Sequence, residues 1–130
     1  MPLVRIALRQ GREADFGKRI GDVIYRKMQE TLNVPPKDNF QIVTTHDANG
    51  LIYDPSYLDI SRTDGIIIIQ ITLNEGRSIE LKKNFYRAVA DSLHSELGIR
   101  PEDVFLNLVE VKKEDWSFGN GIAQYAATTS

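Results

Sequence analysis

Cysteine is absent from this chain of 130 residues. Disulfides, thiolate nucleophiles and cysteine-ligated metals are therefore excluded. Histidine occurs only twice, at His46 and His94. The two lie far apart in sequence and make a poor metal cluster, so no metal is expected. An excess of charge is missing as well: 16 Lys and Arg face 18 Asp and Glu, for a net charge of −2. That balance lacks the basic footprint of a nucleic-acid binder. Long hydrophobic runs are missing too. The apolar stretch Ile66–Ile69 is far too short to span a bilayer. The opening Met-Pro-Leu-Val-Arg has no signal-peptide pattern. A cytoplasmic location without membrane contact is the expectation. What the chain does have is 42% hydrophobic and 26% charged residues. That is the balance of one globular domain, residues 1–130, with a real core.

The chain also contains itself twice. Displaced by 65 residues, residues 2–46 fall on 67–111 without a gap, and nine of the 45 positions are identical. Gly11-Arg12 meets Gly76-Arg77, Lys18 meets Lys83, and Leu32 meets Leu97. Pro36, Asp38 and Phe40 meet Pro101, Asp103 and Phe105. A fixed internal period implies copies of one supersecondary unit. Here it predicts two units, 2–46 and 67–111, related by a pseudo-two-fold axis. Residues 47–64 read as a polar link and 112–130 as a tail, both outside the repeat.

Each unit reads as strand, helix, strand. Leu3–Leu8 is strand-like, and Gln10-Gly11-Arg12 is a turn. Phe16, Ile20, Val23, Ile24, Met28 and Leu32 then recur at three and four residues, the stripe of an amphipathic helix. Val34-Pro35-Pro36 should end it, because a residue before proline is pushed out of the helical region. Phe40–Thr45 is strand-like again. In the second unit, Gly65–Leu73 holds four consecutive isoleucines, the pattern of a strand buried on both faces. The stripe recurs as Leu81, Phe85, Ala88, Val89, Leu93 and Leu97. Gly98 suits the position just past a helix, and Val104–Val111 is the last strand. The expected class is α/β (α+β): a tandem β-α-β repeat forming a four-stranded mixed sheet with two helices on one face. The other face stays uncovered, and such a surface asks for a partner.

Pro2 is the first candidate for chemistry. Methionine before a small residue is usually removed, and Pro2 would then be an amino-terminal secondary amine. An α-amino group titrates near neutrality, roughly pKa 8. It can act as a base if that value is lowered and as a cationic acid if it is kept high. Arg77, opening the second helix after a glycine, could hold a carboxylate beside free helix N–H groups. Arg12 is its mate. Asp38, just before a strand, and its mate Asp103 also suit plain turn chemistry. Trp116 and Phe118 could wall a pocket or simply pack the tail down.

Together these residues resemble the tautomerase superfamily, and within it the malonate semialdehyde decarboxylase-like members. The likeness runs from Pro2 to about Tyr125. It is carried by Pro2-Leu3, Gln10-Gly11-Arg12, Asn33-Val34-Pro35 before Asp38, Arg77-Ser78, Gly98-Ile99 with Pro101, Asp103-Val104, and Asp115-Trp116-Ser117-Phe118-Gly119. The resemblance implies catalysis by Pro2, Asp38 and Arg77. It implies a substrate site walled by Trp116, Phe118 and Tyr125 from a neighbouring subunit of a homotrimer. Those decarboxylases use two arginines, and the place of the first holds Glu75 here. The implied reaction is keto–enol tautomerisation of a small oxo-acid. Decarboxylation or hydration of a 3-oxo or unsaturated acid is the alternative within enzymes, and none of these enzyme readings implies a cofactor. A non-catalytic trimeric binding protein is the alternative outside them.

Overall fold

A computed structural model describes residues 2–126. Strand β1 spans Leu3–Arg9, helix α1 Phe16–Leu32 and strand β2 Phe40–His46. Strand β3 spans Ile67–Asn74, helix α2 Ile79–Leu97 and strand β4 Val104–Val111. The sheet order is β2-β1-β3-β4. β1 runs parallel to β2 and β3 parallel to β4, while β1 and β3 are antiparallel. This is the expected four-stranded mixed sheet with two helices. Each parallel pair follows from its helical crossover, which returns the chain in the same direction.

The helices bury the stripes that their spacing announces. Phe16, Ile20, Val23, Ile24, Met28 and Leu32 of α1 are buried, as are Phe85, Val89 and Leu93 of α2. They pack on Val4, Ile6 and Leu8 of β1 and on alternate residues of β3, Ile67 to Leu73. Two glycines bring α1 close to β2. A Cβ on Gly17 would run into the Val43 side chain, and one on Gly21 into the Gln41 amide. Gln41 Nε2 uses that closeness to donate to the Gly21 carbonyl at 2.8 Å.

Asn33, at φ 58°, ends α1, and Gly98, at φ 67°, ends α2. Asn33 is the repeat mate of Gly98, and asparagine tolerates the left-handed region better than most residues. The prolines at 35 and 36 follow the stop; Asn33 makes it. Ser78 opens α2 by accepting from the Leu81 N–H at 3.2 Å.

Hydrogen bonds recur at the 65-residue offset. Gln10 N–H reaches His46 O at 2.9 Å, and Glu75 N–H reaches Val111 O at 2.8 Å. Val34 N–H bonds Met28 O as Ile99 N–H bonds Leu93 O. Asp38 N–H bonds Pro35 O as Asp103 N–H bonds Arg100 O. The offset reaches beyond the 45 aligned positions, into the link and the tail. Arg9 Nε donates to Leu51 O at 3.0 Å, and Trp116 Nε1 donates to Asn74 Oδ1 at 2.8 Å. Residues 9 and 51 are the mates of 74 and 116.

The sheet face away from the helices is uncovered in the single chain. Phe40, Ile42, Phe105 and Val109 are exposed on it. A polar row crosses its middle, where Arg5, Gln70 and Asn107 lie in register and Gln70 donates to Asn107 at 3.0 Å. β3 departs from expectation here. Its helix-facing residues are buried, but Ile68 and Thr72 are half-buried and Gln70 is exposed. Four isoleucines in a row mark burial on one face of this chain, not on both.

Candidate active site

Register brings the candidate residues Pro2, Asp38 and Arg77 to one end of the sheet. Leu3 is paired with Phe40 on one side and Thr72 on the other. Pro2, one step outside the ladder, is buried between the segment that delivers Asp38 and the end of β3. β3 closes at Asn74, and Gly76, at φ 117°, turns the chain toward α2. Only glycine takes that backbone shape without strain. The turn aims Arg77 back across the sheet end. Its Nε donates to Leu32 O at 3.1 Å and its Nη1 to Asn74 O at 3.2 Å. Leu32 is the last residue of α1, where carbonyl dipoles favour a cation. Two of the five guanidinium donors are thus committed to chain carbonyls.

Asp38 and Arg77 act on each other electrostatically. Partial burial lifts the Asp38 carboxyl above its ordinary 3.8, while the positive charge of Arg77 pulls it down. Burial lowers the Arg77 guanidinium, and the charges of Glu110 and Asp38 favour its cation. The same end of the fold reaches Tyr125. Burial raises its phenol, and the Asp38 charge raises it further.

The ring cluster is built by the tail of the same chain. After β4, a short 3-10 turn at Lys113–Asp115 reverses direction, with Lys112 N–H bonded to the Asp115 carboxylate at 2.9 Å. The reversal carries Trp116 back over the end of β3. Trp116 stacks on Phe118 with centroids 5.5 Å apart, and Phe118 meets the Tyr125 edge at 5.0 Å. Gln124 pins the intervening loop, accepting from Phe118 N–H at 3.0 Å and donating to Gly119 O at 2.9 Å. Within the single chain the rings are seated on Asn74, because the turn at 113–115 folds the tail inward.

Glu75 lies exposed beside them. It lines a surface cavity of about 450 Å³ that also includes Asn74, Lys112, Lys113 and Tyr125. It does not cap α2, since Ser78 does. Asn74 and Gln124 are the residues that the sequence reading missed. The missed signal was the 65-residue offset itself, which links 9 and 51 to 74 and 116.

The opposite end of the sheet has the same frame with other contents. Ile67 stands where Pro2 stands in the first copy. Arg12 and Asp103 flank this corner: a Cβ on Gly65 would lie 3.1 Å from Arg12 Nη2 and 3.3 Å from Asp103 Oδ2. Asp103 is buried and fully engaged. It accepts from Thr63 N–H at 2.8 Å and from the Thr63 hydroxyl at 2.6 Å, with Arg100 at 3.5 Å. Arg12 is exposed and lies 4.7 Å over the Phe16 ring. His46 bonds to Thr44 at 2.8 Å, and His94 donates from Nδ1 to Ile99 O at 3.1 Å. Among the described residues, no three His, Asp or Glu side chains gather as a metal site. Among them, too, no helix is long and apolar enough to cross a membrane.

Known proteins share this frame. A family model described as "Tautomerase enzyme" matches residues 38–119. "Probable tautomerase YusQ" of Bacillus subtilis (strain 168) is 46% identical over 124 residues, covering 95% of this chain and 98% of that protein. A crystal structure of FG41 malonate semialdehyde decarboxylase inhibited by 3-bromopropiolate superposes with a TM-score of 0.89 at 35% identity, covering 96% of this chain and 95% of that one. A fused 4-OT solved as a symmetric trimer superposes with a TM-score of 0.78 at 20% identity over 97% of this chain and 98% of that one, a likeness of fold alone. The matched span runs from Asp38 through Arg77 to the Trp116–Phe118 pair, and with near-complete coverage by a relative at 46% identity it makes this chain a member of the tautomerase family.

Proposed function

We infer that the chain catalyses keto–enol tautomerisation of a small oxo-acid, with Pro2 as its amino-terminal amine once Met1 is removed. The observation that carries this reading is the meeting of Pro2, Asp38 and Arg77 at one sheet end, beside a ring cluster. Arg77 binds the substrate carboxylate and steadies the negative oxygen that develops beside it. Its fixed guanidinium suits this, since two of its donors are already oriented. The Pro2 amine takes the enol O–H proton, and the resulting ammonium delivers it to the α carbon. An O–H bond breaks, a C–H bond forms, and the carbonyl is restored without any other reactant. By its charge Asp38 favours the cation of this amine, whereas Arg77 disfavours it. Trp116, Phe118 and Tyr125 wall the substrate from water.

Decarboxylation or hydration of a 3-oxo or unsaturated acid is the second reading. It is supported by the 35% identity to the FG41 decarboxylase. Glu75 speaks against malonate semialdehyde as the best substrate, because it stands in the place of the first of the two arginines that the similar decarboxylases use. The protein works as a homotrimer that covers the face bearing Phe40, Ile42, Phe105 and Val109. The fold shared with a symmetric trimer supports this assembly.

The test joins two measurements. Intact mass of the native protein tells whether Met1 is removed. Turnover of phenylenolpyruvate and malonate semialdehyde is then compared between wild type and Pro2→Ala. Enol turnover that is lost in Pro2→Ala supports the reading. A retained Met1 with no turnover of either compound overturns it in favour of a non-catalytic trimer.

A further inference from the structure

Asn74 touches both the Arg77 half of the site and its ring half. Its backbone carbonyl accepts from Arg77 Nη1 at 3.2 Å. Its side-chain Oδ1 accepts from Trp116 Nε1 at 2.8 Å. Trp116 in turn stacks on Phe118, which meets Tyr125. The guanidinium and the ring wall are therefore fixed to one residue, at the last position of a strand that cannot shift without breaking its register with β4. Asn74 itself is paired with Val111 across that register.

The opposite end of the sheet shows what else this position can hold. There the mate of Asn74 is Arg9, which donates to Leu51 O, lies 5.5 Å over the Tyr53 ring and stands 3.6 Å from Asp64. Leu51 and Tyr53 are the mates of Trp116 and Phe118. A long cation thus fills the first end and straps the link down with charge. A short neutral amide at the second end keeps the strap and brings no charge of its own to the rings.

We propose that Asn74 is a positioning residue that sets the Trp116–Phe118–Tyr125 wall at a fixed distance from Arg77, so that a substrate with its carboxylate on Arg77 has its carbon frame against the rings. The idea rests on the proposed tautomerase reading. Asn74 does not touch the reacting atoms. It acts through a single hydrogen bond to the indole, so removing the acceptor should loosen the wall while Arg77 keeps its carbonyl anchor.

The test uses the full chain and phenylenolpyruvate. Trp116 is the only tryptophan, so its emission reports the wall alone. Asn74→Ala should red-shift that emission, increase its quenching by acrylamide, and raise KM about tenfold, the scale for one lost buried hydrogen bond, with a smaller change in kcat. Trp116→Phe keeps a ring and loses the donor, so it should raise KM similarly, and the double variant should add little. Asn74→Asp keeps an acceptor and should restore the emission. Arg9→Ala cuts the equivalent strap at the far end and should leave KM unchanged. A shifted emission with unchanged KM would overturn the positioning role, as would equal KM effects from Arg9→Ala and Asn74→Ala. An unshifted emission in Asn74→Ala would overturn the tether. A wild-type protein without turnover would instead overturn the tautomerase reading and this role together.

Discussion

The two repeat-related arginines should differ sharply when each is replaced by alanine. Arg77 is half-buried, is bonded through Nε and Nη1 to Leu32 O and Asn74 O, and lies in the field of Asp38. Arg12 occupies the same place in the first copy but is exposed, lying over Phe16 at 4.7 Å. Losing a charged stabiliser at a developing oxyanion costs about 2–4 kcal/mol of transition-state stabilisation. For Arg77→Ala that is roughly a 30- to 1,000-fold fall in kcat/KM. Part of the change is structural, because the Leu32 and Asn74 carbonyls lose their donor, at about 1–3 kcal/mol of stability if they stay dry. For Arg12→Ala the loss is an exposed cation–π contact, about 0.5–1 kcal/mol of stability, with kcat/KM within about twofold. The assay is the ultraviolet-monitored decay of phenylenolpyruvate at several concentrations, with thermal melts run beside it. Arg77→Lys separates the two effects. It keeps the charge but cannot reproduce the planar fork that reaches both carbonyls, so it should recover part of KM and little of the melting temperature. Equal losses of kcat/KM in Arg12→Ala and Arg77→Ala would refute the reasoning, since the pseudo-symmetric ends would then be functionally alike.

Glu75→Arg replaces a negative charge with a positive one beside the ring wall. It should raise kcat/KM for malonate semialdehyde relative to phenylenolpyruvate and move the pH–rate profile toward acid, because an added cation lowers the pKa of the amine. No change in the ratio or the profile would place Glu75 outside substrate choice. Burial raises Asp38 above 3.8, so its folded form holds a proton more tightly than its unfolded form. The stability this provides is fully present below 3.8 and is lost as pH rises through the folded value. Asp38→Asn should therefore melt above wild type at pH 7, with the gain shrinking as pH falls toward 3.8, while turnover drops. A lower melting temperature at pH 7 would reverse the sign and reject this account. Asp103→Asn leaves a buried amide against the donors of Thr63 and should cost about 1–3 kcal/mol in denaturant unfolding. Turnover should be retained at permissive temperature, and its loss there would give the second end a part in catalysis.

The fold was legible because its signals are periodic. The stripes Phe16–Leu32 and Leu81–Leu97 and the 65-residue offset place both helices and all four strands. Strand order follows once the copies are taken as pseudo-symmetric. Pro2, Asp38 and Arg77 could be assigned to one sheet end by the same reasoning, because parallel units fix which strand ends lie together. The tail was harder to read. Its inward path depends on a three-residue turn at Lys113–Asp115 and on one hydrogen bond spanning 42 residues. The turn leaves no periodic trace, and the bond has one only through its mate at the 65-residue offset, Arg9 to Leu51, where neither residue type is repeated. Asn74 was hidden for a related reason: half of its work is done by a backbone carbonyl, which every residue possesses. The burial of β3 was overread. Four isoleucines look the same whether the second face meets a helix, a partner or water.

Duplication of a β-α-β unit gives a sheet with two equivalent ends, but a chain offers only one amino-terminal amine. Ile67, in the place of Pro2, is a mid-chain amide that belongs to the β3 ladder. An aspartate and an arginine kept at that end have no amine to serve. The structure has closed it with the link. Thr63 gives both of its donors to Asp103, and Arg9 binds Leu51, Tyr53 and Asp64 together. Such an end contributes stability, because a buried carboxylate holding two short hydrogen bonds is satisfied. At the other end the corresponding carboxyl is raised by burial and the corresponding strap is made of rings. A carboxyl raised by burial is charged there at neutral pH at a cost to the fold, which the proposed function would turn to holding a charged substrate. One copy of the unit therefore anchors the domain, and this frees the other copy to keep a titratable, partly desolvated corner.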